Sequence, residues 1–236
     1  MSAPLVEIRD LTKDYMSLRP LRIRELLVMP GERVAIVGFD AAAAEMLVNL
    51  LTGATLAESG DVRVFGRDTR DIEDSDAWLA FVDRFGLVSA RAVLLDQLTL
   101  AQNMAMAFTL EVEPMARETE RQVDRLAEAV GLSGSDLQRP VAGAPPDLVA
   151  RVRLARAVAL DPELLVLEHP TALVAGGDAA GFAADLLALA RARHLTTITI
   201  TMDATFAEAV ADRVLTHDAA TGALTEGGGW NRWMGL

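Results

Sequence analysis

A strand that ends in glycine and leads into a helix can bind phosphate, because backbone N–H groups and the positive end of the helix dipole converge there. Arg33-Val34-Ala35-Ile36-Val37 followed by Gly38 reads as such an exit, and a helix-like stretch follows from Glu45 to Thr52. The pattern that holds a triphosphate is G-x-x-x-x-G-K-[ST], with glycines for close backbone approach, lysine for the outer phosphates and the hydroxyl for magnesium. The segment here is Gly38-Phe39-Asp40-Ala41-Ala42-Ala43-Ala44-Glu45-Met46. Aligned on Gly38, Ala43 takes the place of the second glycine, Ala44 of the lysine and Glu45 of the hydroxyl. Lys13 is the only lysine in the chain and precedes this unit, so no shift of register restores one. Loss of that one charged contact weakens phosphate binding by roughly tenfold to a hundredfold. Asp40 or Glu45 can fill the empty anion site and keep the segment folded; the plainer reading makes Glu45 a favourable first-turn residue.

A second group follows the apolar run Leu164-Leu165-Val166-Leu167, where Glu168, His169 and Pro170 stand in sequence. Glu168 can accept metal-bound water. A neutral histidine has the chemistry of a general base, but a base at His169 is useful only beside a positioned phosphate, so the structural role is the simpler one.

The elements that must position these groups follow from periodicity. Leu5–Ile8 and Glu32–Val37 read as strands, and Gly60–Gly66 alternates as a half-exposed strand on an antiparallel edge of the same sheet. Between about Ala90 and Ala157 the strand signals vanish, and Glu118–Val130 places Val123, Leu126, Ala127 and Val130 at helical spacing before Gly131. Leu164–Leu167 is a strand buried on both faces, followed by an alanine-rich helix at 179–193 and a further parallel strand at Thr196–Thr201. The expectation is an α/β core at about 1–89 and 158–236, with a helical lobe inserted at about 90–157. The tail Gly227-Gly228-Gly229-Trp230 reads as a loose end, with Trp230 and Trp233 available to dock.

The chain has 236 residues and 51% hydrophobic content, enough to bury its own core. It carries no cysteine, and its three scattered histidines match no zinc spacing, which excludes disulfide and thiolate chemistry and leaves no metal expected. A net charge of −12 repels nucleic acid and anionic lipid alike. With no long apolar run and no signal-like start, the expected place is the cytoplasm, with no direct membrane insertion.

In order and spacing, Val37-Gly38, Leu47–Gly53 and Glu58-Ser59-Gly60-Asp61-Val62 resemble the first third of an ATP-binding cassette (ABC) ATPase. The resemblance continues through Leu94-Leu95, Leu98-Thr99 and Asn103, then Arg151–Ala157, then Asp161–Thr171, and so covers nearly the whole chain. It implies the nucleotide-binding domain of an ABC transporter, with a P-loop NTPase-like core. By the same resemblance, Glu168 replaces the magnesium-holding aspartate and His169 the water-activating glutamate. Ala90 replaces the glutamine that faces both nucleotide and permease, and Met202 replaces the switch histidine. Ala144-Pro145-Pro146-Asp147-Leu148 stands for the L-S-G-G-Q signature, and its prolines lack the N–H groups that grip a partner subunit's ATP. Tyr15 stands where the family stacks an aromatic on adenine.

The resemblance therefore implies a cassette with degenerate motifs that hydrolyses little or no ATP. No cofactor is expected, with ATP and magnesium bound only weakly if at all. The implied partners are a membrane permease, received by the helical lobe around Leu94–Pro114 with Met104, Met106, Phe108 and Leu110, and a second ABC ATPase subunit in a homo- or heterodimer. Those apolar residues equally suit the lobe's own core. The implied place is the inner face of the membrane, peripheral, through the permease. Two alternatives stay open: a slow ATPase with an atypical site, and a pseudoenzyme that binds proteins outside transport.

Overall fold

The computed structural model describes residues 3–15, 17–174 and 178–227, so Trp230 and Trp233 of the tail lie outside the described residues. The chain opens with β1 (Val6–Lys13), β2 (Leu21–Val28) and β3 (Arg33–Val37), then α1 (Ala41–Leu51), β4 (Ser59–Val64), β5 (Arg67–Asp68), α2 (Ser75–Val82) and β6 (Phe85–Val88). The middle is helical: α3 (Leu100–Ala105), α4 (Arg117–Ala129), α5 (Gly134–Leu137) and α6 (Pro146–Val158). The last third alternates, with β7 (Leu164–Glu168), α7 (Pro170–Leu173), α8 (Ala179–Ala192), β8 (Thr196–Thr201), α9 (Ala204–Val210), β9 (Arg213–Asp218) and β10 (Ala223–Glu226).

Two sheets result. A six-stranded sheet runs β10-β9-β3-β8-β7-β6, parallel except for the β9–β10 hairpin. The antiparallel strands form a separate four-stranded sheet, β2-β1-β4-β5, rather than the expected edge of the first. Within this sheet the β1–β4 register shifts between Arg9 and Thr12, where Gly60 adopts φ +79° and a Cβ would overlap the Asp10 carbonyl.

The strand β7 shows how the layers are sealed. Leu165 and Leu167 face a core shared with α3, α4, α6 and α8, whereas Leu164 and Val166 face the core shared with α1 and the antiparallel sheet. A strand buried on both faces has to be apolar at every position, as this one is up to Leu167. On the helical side, Val123, Leu126, Ala127 and Val130 are buried at the expected spacing, and Gly131 (φ +74°) ends the run. Strand β6 lies close under α6: a Cβ on Gly86 would overlap the Ala157 carbonyl. No described helix is long and apolar enough to cross a membrane.

Candidate functional site

The carboxyl ends of four adjacent parallel strands, β3, β8, β7 and β6, finish in one row, as the pairs Val37↔Thr201, Glu168↔Ile200 and Val88↔Leu167 require. Ligands of open α/β sheets bind at such an edge. It collects Gly38, Met202, Glu168, His169 and Ala90, residues far apart in sequence.

The segment after β3 is shorter than its sequence suggests. Helix α1 starts at Ala41, four residues before the expected start, so only Gly38, Phe39 and Asp40 remain as loop. Four consecutive alanines, the best helix formers, explain the difference. Asp40 is the N-cap: its carboxylate accepts from the Ala43 N–H at 2.8 Å, and its carbonyl from the Ala44 N–H at 2.9 Å. Ala43 and Ala44 are buried, and Met46 packs against the same core. Among the described residues, the Ala41 and Ala42 N–H groups keep no protein acceptor, and both residues are exposed. Gly38 takes φ +102°, with a Cβ position 3.0 Å from the His217 carbonyl. Phe39 turns inward, 4.2 Å from the His217 ring. Burial pushes His217 below its usual range against the opposing pull of its bond to the Arg22 carbonyl and of Asp218.

The arrangement that sequence reasoning missed centres on Arg91, three residues past the end of β6. Its guanidinium donates through one terminal nitrogen to Glu45 and through the other to Glu168, both at 2.7 Å. Ser89 Oγ anchors the turn, accepting from the Arg91 backbone N–H at 3.1 Å and from Nε at 3.4 Å. Glu168 is largely buried; Glu45 and Arg91 are roughly half-exposed. Two carboxylates, from the second turn of α1 and the end of β7, therefore converge on one cation. Both carboxylates are paired to the guanidinium, and of the two it is Glu168, at the end of β7, that can accept metal-bound water. The signal for Arg91 was an arginine beside Ala90 at a strand end opposite two acidic strand and helix ends; it shows only once the strand order is known.

The remaining expected residues are dispersed around this centre. His169 sits in the left-handed region (φ 44°), its N–H donating to the Ile200 carbonyl at 2.8 Å, and its buried Nε2 has no partner among the described residues. Met202 and Ala90 are exposed. Tyr15 is half-buried against the core of the antiparallel sheet. In the segment Ala144–Leu148, Pro145 caps α6 and Pro146 is its first residue, so neither offers an N–H; Asp147 follows in the first turn, and Ala144 and Leu148 pack on the helical core.

Beyond Arg91 the chain bends through a tied loop. Asn103, fully buried, accepts from the Leu95 N–H and donates to the carbonyls of Leu95, Leu98 and Thr99. Met104 is in the helical core and Phe108 packs on it, while Leu110 is exposed. A cleft of about 320 Å³ lies between this loop, β6 and α6, lined by Phe85, Leu94, Ala107, Arg153, Arg156 and Leu160. Arg153 and Arg156 donate to the Ala92 and Val93 carbonyls, and burial lowers both guanidinium pKa values.

A family model described as ABC transporter matches residues 21–172. The methionine import ATP-binding protein MetN of Brucella abortus is 29% identical over 217 residues, spanning 92% of this chain and 58% of MetN. The chain thus spans less than two thirds of the length of that relative. Among solved structures, cbiO1 from Clostridium perfringens, part of the cbiONQ transporter complex, superposes with a TM-score of 0.75 at 18% identity, covering 99% of this chain and 92% of that one. A dimeric ATP-binding cassette in a post-hydrolysis state with ADP and Pi superposes with a TM-score of 0.72 at 20% identity, covering 94% and 97%. These matches correct the expectation that the chain works with no cofactor, because the family is one of ATP-binding cassettes whose members carry nucleotide. That expectation counted only what the segment after β3 could offer; Glu45, Glu168 and Arg91 come together from three elements.

Proposed function

The chain belongs to the ABC transporter family, and from that membership we propose that it is the ATP-binding subunit of a membrane importer, one that binds nucleotide without hydrolysing it. Its role is then structural or regulatory: it docks a permease, pairs with a second cassette subunit and sits at the inner membrane face through them. Import follows the activity named for the MetN relative.

The observation that carries the lost turnover is the winding of α1 through Ala41–Ala44, with the Asp40 carboxylate on the Ala43 N–H. A chain carboxylate uses a donor that phosphate would otherwise take, and the preorganised donors that stabilise developing charge are fewer. Glu168 is the carboxylate that would hold magnesium, which supplies charge neutralisation to the phosphates when bound. Pro145 and Pro146 leave the start of α6 without the two N–H groups that would reach a neighbouring subunit's nucleotide. The cleft beside α6 supports permease docking: its apolar walls suit a short amphipathic helix, and Arg153 and Arg156, with no carboxylate partner among the described residues, suit an acidic residue on that helix. We assign the core lobe to about 1–89 and 158–236 and the helical lobe to about 90–157.

A second reading, slow hydrolysis, draws support from His169 alone, whose buried Nε2 has no partner among the described residues and lies next to Glu168 in sequence. Parallel measurement of magnesium-ATP binding by calorimetry and of phosphate release separates the two. Binding with release at background supports the proposal; turnover near ~1 s⁻¹, an ordinary enzymatic rate, overturns it in favour of a working ATPase. A release rate that is slow but lost in His169→Ala favours the second reading.

A further inference from the structure

Resting on the ATP-binding reading, we infer that Arg91 is the residue that brings positive charge to the nucleotide phosphates, replacing a lysine that position 44 lacks, and that Glu45 and Glu168 hold it ready.

Placement is the first argument. Arg91 bonds to Glu45, in the second turn of α1, and to Glu168, at the end of β7, so its guanidinium lies at the sheet edge about one helical turn from Ala41 and Ala42, whose N–H groups have no protein acceptor among the described residues. Among the described residues no other cation bonds to that turn: Lys13 pairs with Glu58, and Arg153 and Arg156 are committed to carbonyls in the other cleft.

Donor capacity is the second. A guanidinium has five N–H groups, and Ser89, Glu45 and Glu168 use three, which leaves one on each terminal nitrogen. A planar fork of this kind matches two phosphate oxygens.

Freedom to turn is the third. Arg91 is 43% exposed and lines an open cleft of about 360 Å³ with Ser89, Trp78 and Glu168. Two carboxylates on one guanidinium leave a net charge of −1, so an arriving phosphate repels them while it attracts Arg91. Loss of charge at Glu45 removes one competitor for the arginine and one repulsion of the ligand.

The test is calorimetric titration with magnesium-ATP of the wild-type chain, Arg91→Ala, Arg91→Lys and Glu45→Gln, each checked for folding by circular dichroism. Expected are a loss of roughly tenfold to a hundredfold in affinity for Arg91→Ala, partial recovery in Arg91→Lys and a gain of several-fold in Glu45→Gln. Wild-type affinity in Arg91→Ala overturns the inference and leaves the ATP-binding reading intact. Absence of binding by the wild type at millimolar ATP overturns both. Weaker binding in Glu45→Gln overturns the holding role of Glu45. If Arg91→Ala does not fold, Arg91→Lys and Arg91→Gln decide: the lysine variant must bind more tightly than the glutamine one, and equal affinity sinks the idea.

Discussion

The Asp40 carboxylate accepts the Ala43 backbone N–H at 2.8 Å, so the positive end of α1 is capped by the chain's own anion. Of the two acidic residues that could fill an anion site after β3, the geometry gives that position to Asp40; Glu45 turns away to Arg91. Asp40→Ala removes an N-cap and is expected to cost about 1 kcal/mol of stability, while Asp40→Ser retains most of it. Urea unfolding of the two variants measures the difference, and equal midpoints for wild type and Asp40→Ala would show that the cap contributes nothing.

Glu45 behaves differently. Its bridge to Arg91 joins two side chains that are each more than 40% exposed, and pairs so exposed are worth little. Glu45→Ala is therefore expected to change stability by less than about 0.5 kcal/mol, in contrast to Asp40→Ala. A melting-temperature drop in Glu45→Ala as large as that in Asp40→Ala would contradict the assignment.

These two residues also show how far the sequence could be read. The strand at 33–37 and the glycine after it followed from composition and punctuation alone, as did β7, because a doubly buried strand is apolar at every position. The helix start did not follow, because the reading held 38–44 to a loop template whereas four alanines prefer helix. Arg91 escaped for a different reason. Its partners lie 46 and 77 residues away, and only the order β3-β8-β7-β6 brings the three together. Periodicity reports which face of an element is buried; it carries no information on which strand ends become neighbours.

Asn103 links the site edge to the helical region. Its side-chain amide, fully buried, serves one N–H and three carbonyls of the 95–99 loop. Asn103→Leu leaves the Leu95 N–H without its acceptor and is expected to cost about 2 to 3 kcal/mol. Hydrogen exchange is the sharper readout: the Leu95 amide should lose protection while amides in β3 and β8 change only with global stability.

The last prediction concerns pH. His217 is half-buried, packs 4.2 Å from Phe39, and offers Nε2 to the Arg22 carbonyl while its buried Nδ1 has no partner among the described residues. Burial disfavours the charged ring and lowers its pKa in the folded chain, outweighing the Arg22 carbonyl and Asp218. The unfolded chain, with histidine near its ordinary value of about 6.5, then takes up the proton first as pH falls. Where the unfolded state binds more protons, stability rises with pH, so this group leaves stability undiminished above about pH 6.5 and erodes it progressively below. Chemical denaturation between pH 8 and pH 5 should show that slope in the wild type and a shallower one in His217→Gln, which cannot titrate. Because His217 backs Gly38 and Phe39, the wild-type Phe39 amide should also exchange faster at pH 5.5 than its intrinsic rate predicts, and unchanged protection there would separate His217 from the folding of the segment after β3.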